Sequence, residues 1–106
     1  MNQQIRFLTA SVLALGVLPA SHAQDVRELR ARSLAASCAA CHGTAGTPVQ
    51  GSTVPGLAGM PAADLVGRMK AFKSGALPAT VMHQISKGYS DAQIEQLAAF
   101  FAAQKK

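Results

Sequence analysis

The sequence predicts an all-α fold of about four helices within one small domain. Apolar residues recur at helical spacing in four segments, and no segment shows the strict alternation of a surface strand. Residues 43–60, between the first two helical segments, are rich in glycine and proline. These observations predict four helices with one long irregular loop, in a chain of 106 residues.

The first helix is predicted to run from near Asp25 to Ser37. Four apolar residues offer it an inward stripe: Val26, Leu29, Leu34 and Ala36. The segment from Gly43 to Met60 follows, with five glycines and two prolines. This composition predicts a loop without regular structure.

A second helix is predicted to begin at Pro61, because proline is favoured in the first turn of a helix. Leu65, Met69 and Phe72 lie at i, i+4 and i+7, which places them on one face. Gly75 then ends the helix.

A short third helix is predicted over Thr80–Lys87, with Met82 and Ile85 on one side and Gly88 as its end. The last helix has the clearest start. Ser90 and Gln93 have the spacing of a capping box, and Tyr89 and Ile94 have that of a hydrophobic staple. Its predicted buried stripe is Ile94, Leu97, Ala98 and Phe101.

Residues 1–23 have the pattern of a secretory signal peptide. A short positive region contains Arg6, residues 7–18 are apolar or small, and small residues precede a cleavage point after Ala23. The apolar run is shorter than the roughly 20 residues that span a bilayer, so we expect no stable membrane insertion. An uncleaved interfacial anchor is the weaker alternative. The predicted product is a periplasmic domain of residues 24–106.

The mature chain has a mild basic bias. Without Arg6 it has nine Lys and Arg against five Asp and Glu, a net charge of +4. Such a bias favours association with an acidic partner. Basic residues do not cluster with aromatic residues, so the sequence does not predict nucleic-acid binding.

The segment Cys38-Ala39-Ala40-Cys41-His42 is a motif for covalent haem attachment. One helical turn places both sulfurs on one side of the chain, where they can form thioethers with one haem. His42 follows directly as the proximal iron ligand. The sequence thus predicts one haem c at the centre of the helices, which a domain of this size needs as added core.

Three alternatives compete with haem attachment. A thioredoxin-like redox pair requires a βαβ chain around it, and none is visible. A zinc site requires about four ligands, and the mature chain has only Cys38, Cys41, His42 and His83 as Cys or His. The third alternative is a chance pentapeptide, which export to an oxidising compartment makes less attractive.

The sixth iron position separates electron transfer from ligand binding. We predict Met82 as the distal ligand, because it lies well past His42 and between two helices, with Met60 as the alternative. Met69 belongs to the buried face of the second helix. His83 is predicted to face solvent, because its side chain points away from that of Met82.

These residues together resemble the class I cytochromes c, and the resemblance covers nearly all of residues 25–104. Residues 55–59, Pro-Gly-Leu-Ala-Gly, resemble the family's Pro-x-Leu-x-Gly loop. Residues 72–75, 79–82 and 87–91 resemble the cytochrome subunit of flavocytochrome c sulfide dehydrogenase, and more loosely the cytochrome c4 and c553 group.

The resemblance implies roles for particular residues. The Pro55 carbonyl would accept a hydrogen bond from His42 Nδ1, and Leu57 would pack on the haem. Met82 matches the distal ligand of these relatives. The family crosses its first and last helices closely, and here Ala31 would stand at that crossing.

We therefore expect an electron-transfer protein, not an enzyme. It would be the cytochrome subunit of a sulfide-oxidising flavoprotein complex, whose flavin would lie on a separate chain. The alternatives are a free carrier to a terminal oxidase or peroxidase, and a gas-binding haem sensor with an open sixth position. Four basic residues are candidates for a docking rim: Arg68, Lys70, Lys73 and Lys87.

Overall fold

The computed structural model describes residues 20–106. That part of the chain contains five α-helices and no strand. The helices are α1 (Ala20–Ala36), α2 (Ala39–His42), α3 (Ala62–Ser74), α4 (Met82–Ile85) and α5 (Asp91–Ala102). The predicted all-α class is confirmed, and α2 is a single turn in addition to the four predicted helices.

The predicted signal peptide lies mostly outside the described residues. Residues 20–23, at its predicted end, form the first turn of α1, which begins before the predicted start near Asp25. No helix in residues 20–106 combines the length and the apolar character that a membrane crossing requires.

The predicted inward stripe of α1 is wrong in three of its four positions. Val26 is 58% exposed and Leu29 is 65% exposed, and Ala36 is also exposed. The true stripe is Ala31, Leu34 and Ala35, at i, i+3 and i+4. The helix α1 packs against the short α5, so only its last turns are covered.

The helix α3 has the predicted limits. It follows Pro61 and ends at Gly75, whose left-handed φ of 82° lets its N–H return to the Phe72 carbonyl. Leu65 and Met69 are buried, as their spacing predicts.

The helix α5 confirms its predicted start. Ser90 Oγ accepts from Gln93 N, and the Gln93 side chain accepts from Ser90 N, which completes the capping box. The four predicted residues are buried: Ile94, Leu97, Ala98 and Phe101. The core of the molecule lies where α5 packs against α3 and α1.

The third predicted helix is shorter than expected. Four residues form α4, and a 3-10 turn over Ser86–Gly88 replaces the rest. Ser86 is fully buried, and its hydroxyl donates to the Met82 carbonyl oxygen at 2.6 Å. Ile85 is 44% exposed.

The glycine-rich loop is irregular except for one 3-10 turn, Thr44–Gly46. Three backbone hydrogen bonds hold it in place. The Gly46 carbonyl accepts from Leu57 N at 2.8 Å and from Ala58 N at 3.1 Å. Gly59 N donates to the carbonyl of Phe101 in α5, also at 2.8 Å. The end of the loop is therefore fixed against the core.

Candidate functional site

The two cysteines lie one helical turn apart, at the junction of α1 and α2. The N–H groups of Cys41 and His42 both donate to the Cys38 carbonyl, at 3.3 and 2.9 Å. Both thiols are free; Cys38 is half-buried and Cys41 is exposed. The turn thus presents two unpaired thiols directly before an imidazole.

Burial raises the pKa of the Cys38 thiol, and a hydrogen bond with the Ser37 side chain partly opposes that rise. A thiol with a raised pKa remains protonated at neutral pH.

The His42 ring is held in one orientation. It is 9% exposed, and Nδ1 lies 2.7 Å from the carbonyl oxygen of Pro55. A carbonyl only accepts, so Nδ1 carries the proton and the lone pair of the neutral ring lies on Nε2. Nε2 is thus the nitrogen that is ready to bind a metal.

The position of Pro55 follows from the anchored loop. The Gly46 carbonyl holds the residues just after Pro55, through the N–H groups of Leu57 and Ala58. Leu57 is half-buried and packs against the core. The Pro55 carbonyl thus makes the contact with His42 that the Pro-x-Leu-x-Gly resemblance implies, while the packing of Leu57 on the haem stays a prediction.

The four methionines differ in environment. Met1 lies outside the described residues. Met69 is buried in α3, as predicted, and its sulfur lies 3.6 Å from Ser86 Oγ. Met60 and Met82 are both half-buried and pack against the core. Both therefore remain candidates for the distal ligand.

The prediction that His83 faces solvent is wrong. Its side chain is half-buried, and its Nδ1 is shielded from water without a hydrogen-bond partner among the described residues. The buried Ser86 marks the inward side of this segment, and Met82, four residues before it, lies on that side as well. His83 lies three residues before Ser86, and residues three apart share a helix face.

Two of the predicted rim residues are engaged elsewhere. Lys70 and Lys73 lie 3.5 and 3.3 Å from the Asp91 carboxylate, and Lys73 also donates to the Tyr89 carbonyl at 2.7 Å. These contacts hold the pKa of Asp91 below its ordinary value, first through the Lys73 hydrogen bond. Arg68 and Lys87 are exposed and form no ion pair with another described residue.

A hydrogen bond that the sequence did not predict braces the attachment motif. Tyr89 Oη lies 2.7 Å from Ser37 Oγ, and Ser37 in turn donates to the Leu34 carbonyl at 3.1 Å. Because a serine hydroxyl has one proton, Tyr89 is the donor to Ser37. Ser37 and Tyr89 are 52 residues apart, so no local sequence pattern could predict this hydrogen bond. It becomes visible only once the fold brings the two hydroxyl groups together.

The alternative of a zinc site has no geometric support. Nowhere in residues 20–106 do three His, Cys, Asp or Glu side chains converge as metal ligands would. The motif is built around one oriented imidazole and two separate thiols.

Comparison with known proteins decides the family. The cytochrome c family model matches residues 30–105, which is most of the chain. The chain belongs to the cytochrome c family. The match includes the attachment motif, the anchored loop and the three helices α3, α4 and α5.

Two relatives have sequences similar to that of this cytochrome. It is 38% identical over 71 residues to a thiosulfate dehydrogenase electron acceptor of Thiomonas intermedia (strain K12), which covers 67% of this chain and 33% of that protein. It is 35% identical over 78 residues to the cytochrome subunit of sulfide dehydrogenase of Chlorobaculum tepidum, covering 74% and 69%. This cytochrome thus spans one third of the first relative's length. The first name describes an electron acceptor and the second describes a cytochrome subunit.

The cofactor of the family is haem c, and the residues of this chain suit it. Thioether attachment requires two free thiols one turn apart, and Cys38 and Cys41 meet that requirement. An axial ligand requires an imidazole nitrogen with a free lone pair, which His42 offers at Nε2.

Proposed function

We propose that this chain is a periplasmic monohaem cytochrome that transfers single electrons through an iron held by His42 and Met82. Cys38 and Cys41 form the two thioethers. The observation that carries the proposal is the 2.7 Å contact between His42 Nδ1 and the Pro55 carbonyl, which leaves Nε2 as the ligand atom. When bound, haem c supplies a one-electron couple between ferrous and ferric iron.

The chain's own groups influence the reduction potential of that couple. The Pro55 carbonyl fixes the plane of the His42 ring and increases its basicity, and Leu57 is proposed to pack on the haem. A methionine sulfur is a soft ligand that favours the reduced iron. If His42 and Met82 both held the iron, it would pass electrons with little rearrangement.

Met82 is proposed as the distal ligand in preference to Met60. The segment around Met82 is fixed, because its carbonyl accepts from the fully buried Ser86. Met60 directly follows the loop that positions Pro55 on the proximal side, and its N–H donates to the Leu57 carbonyl at 3.1 Å. That bond holds Met60 close to the residues that serve His42.

Substitution of the two methionines tests the ligand. Met82→Ala is expected to open the sixth position, so that the reduced holoprotein binds about one carbon monoxide per haem and its reduction potential falls. Met60→Ala is the matched control and should leave the absorption spectrum unchanged. Rapid carbon monoxide binding by the unsubstituted protein, or an altered spectrum only in Met60→Ala, would contradict ligation by Met82.

We propose residues 1–23 as a signal peptide and residues 24–106 as the exported cytochrome domain. Haem is joined to such motifs outside the cytoplasm, so export and the motif support each other. N-terminal sequencing of the haem-bearing protein from the periplasmic fraction should begin at Gln24. A haem-bearing protein that retains residues 1–23 in the membrane fraction would refute this.

The proposed partner is the flavoprotein of a sulfide-oxidising complex, which would deliver electrons to this cytochrome. The similarity to the cytochrome subunit of sulfide dehydrogenase supports it, since the match covers 69% of that subunit. A free carrier is the second candidate, supported by the similarity to an electron acceptor of thiosulfate dehydrogenase. Affinity purification from the native host distinguishes them: a flavoprotein should co-elute in the first case, and the cytochrome should elute alone in the second.

A further inference from the structure

We propose that Ser86 is a positioning residue, whose hydroxyl holds the backbone of Met82 so that the methionine sulfur stays on the iron. The inference rests on the proposed function, because it takes Met82 as the distal ligand. It extends that function by naming the contact that opposes departure of the ligand.

The starting observation is the burial of a polar residue. Within residues 70–93, only Ser86 is fully buried, and none of its surface is exposed. None of the four residues of α4 is fully buried. A single helical turn has little stability of its own, so tertiary contacts must hold α4 in place. Ser86 directly follows α4 and supplies such a contact.

The hydroxyl of Ser86 has one proton, and the geometry assigns it. Ser86 Oγ lies 2.6 Å from the Met82 carbonyl oxygen and 3.6 Å from the Met69 sulfur. A carbonyl oxygen only accepts, and 2.6 Å is a hydrogen-bond distance between two oxygens, so Ser86 donates its proton to Met82. The longer approach to Met69 shows that the same oxygen packs against α3.

Ser86 binds the Met82 carbonyl twice. Its backbone N–H also donates to that oxygen, at the end of α4. Met82 is thus joined through its carbonyl to a residue that is buried against α3. Movement of the Met82 backbone away from the core would leave the Ser86 hydroxyl without an acceptor, at a depth where no water can replace it.

A second serine in the chain shows why burial matters. Ser33 donates to the Leu29 carbonyl at 2.9 Å, also across four residues, but it is exposed on α1. Water can replace the Leu29 carbonyl as acceptor, so this bond contributes little. At Ser86 the exchange with water is blocked. We therefore expect the Ser86 bond, and not the Ser33 bond, to affect the ligand.

The rate at which the reduced holoprotein binds carbon monoxide measures this effect, because the gas can bind only after the Met82 sulfur has left the iron. Ser86→Ala is expected to raise that rate by about threefold to tenfold, the factor that loss of one hydrogen bond gives. Met82→Ala has no sulfur to lose and should bind faster than both. In the Met82→Ala background, Ser86→Ala should have no further effect.

Two control variants separate this role from general effects. Ser33→Ala removes an exposed bond of the same spacing and should leave the rate unchanged. Ile94→Val removes one buried methyl group from α5, so it should lower the melting temperature without raising the rate.

Three outcomes would overturn the proposal. Ser86→Ala binds carbon monoxide at the rate of the unsubstituted protein; Ile94→Val accelerates binding as much as Ser86→Ala does; or Ser86→Ala accelerates binding equally in the Met82→Ala background, as a general opening of the site predicts. Failure of Met82 ligation is seen separately, because Met82→Ala would then bind at the rate of the unsubstituted protein.

Discussion

At the scale of single residues, two backbone carbonyls organise the proximal side of the site. The Pro55 oxygen orients the His42 ring, and the Gly46 oxygen holds the segment that follows Pro55. Neither contact uses a side-chain atom of the loop. Substitution therefore disturbs this region mainly through backbone conformation and through the space available for a Cβ atom.

Gly46→Ala is expected to destabilise the protein. Gly46 has a φ of 79°, and a Cβ there would lie 2.8 Å from Ala58 N and from the Phe101 ring, with little room to shift. We expect a loss of about 2 kcal/mol or more in the free energy of unfolding, measured by denaturant titration of the holoprotein.

Gly67→Ala is the matched control. Gly67 lies inside α3, and a Cβ there would meet no atom within 4 Å. Alanine should stabilise the protein by roughly 0.5–1 kcal/mol, because it restricts the unfolded chain and favours the helix. Equal effects of the two substitutions would show that the loop geometry around Gly46 is wrong.

The sequence predicted which residues form the attachment motif, but it did not predict the burial of His83. Cys38, Cys41 and His42 are adjacent in sequence, so their spacing alone carries the information. The burial of His83 depends on Ser86 and on how α4 packs against α3. A helical wheel centred on Met82 could not show it, because the inward direction of a one-turn helix is set by tertiary contacts.

At the scale of elements, Asp91 connects the end of α3 with the start of α5. Its carboxylate lies within 3.5 Å of Lys70 and Lys73, and the Lys73 ammonium also bonds the Tyr89 carbonyl. The same lysines were predicted as part of a docking rim. Their contacts with Asp91 leave Arg68 and Lys87 as the predicted rim residues with no carboxylate partner in the described chain.

The Asp91 contacts predict a pH dependence of stability. The pKa of Asp91 is lowered in the folded state from an ordinary value of 3.8, chiefly by the Lys73 hydrogen bond. Its contribution is therefore present above about pH 3.8 and is lost as the pH falls through the lower folded pKa. Because Asp91 is exposed, we expect a small effect that salt weakens.

Thermal unfolding against pH measures this contribution. Asp91→Asn should melt at a lower temperature than the unsubstituted protein at neutral pH, and the two curves should converge in strong acid. Asp64→Asn, an exposed acidic residue in the first turn of α3, is the control for general loss of charge. A difference that persists unchanged at low pH would exclude ionised Asp91 as its source.

Element prediction succeeded where the signal was local. The capping box of Ser90 and Gln93 and the terminal Gly75 act within a few residues, and both appear in the structure. Which residues of α1 are buried depends on where α5 crosses that helix. The sequence of α1 alone does not indicate this position. Val26 and Leu29 consequently have a helical spacing, but no element among residues 20–106 covers them.

At the scale of the whole molecule, the protein has little core of its own. Seven buried apolar residues form the core of the described chain, and two of them, Ala35 and Ala98, are alanines. A core of this size rarely stabilises a domain without a disulfide, metal or cofactor. The haem is therefore expected to be part of the folded structure and not an addition to it.

Removal of both attachment thiols tests this dependence. The double variant Cys38→Ala/Cys41→Ala, produced in the same export host, is expected to lose cooperative thermal unfolding followed by circular dichroism. The single variant Cys41→Ala, with one thioether left, should unfold cooperatively at a lower temperature. A haem-free double variant with an unchanged melting curve would show that the polypeptide core is sufficient.

The 2.7 Å contact of His42 with Pro55 also bears on the order in which the protein folds. It joins residues only 13 apart, whereas the Tyr89–Ser37 contact joins residues 52 apart. Each doubling of a loop costs about 0.6 kcal/mol in closure entropy, so the shorter loop is favoured by about 1.2 kcal/mol. We therefore expect the proximal imidazole to be oriented early, by residues close to it in sequence, before the C-terminal helix docks against α1 and α3.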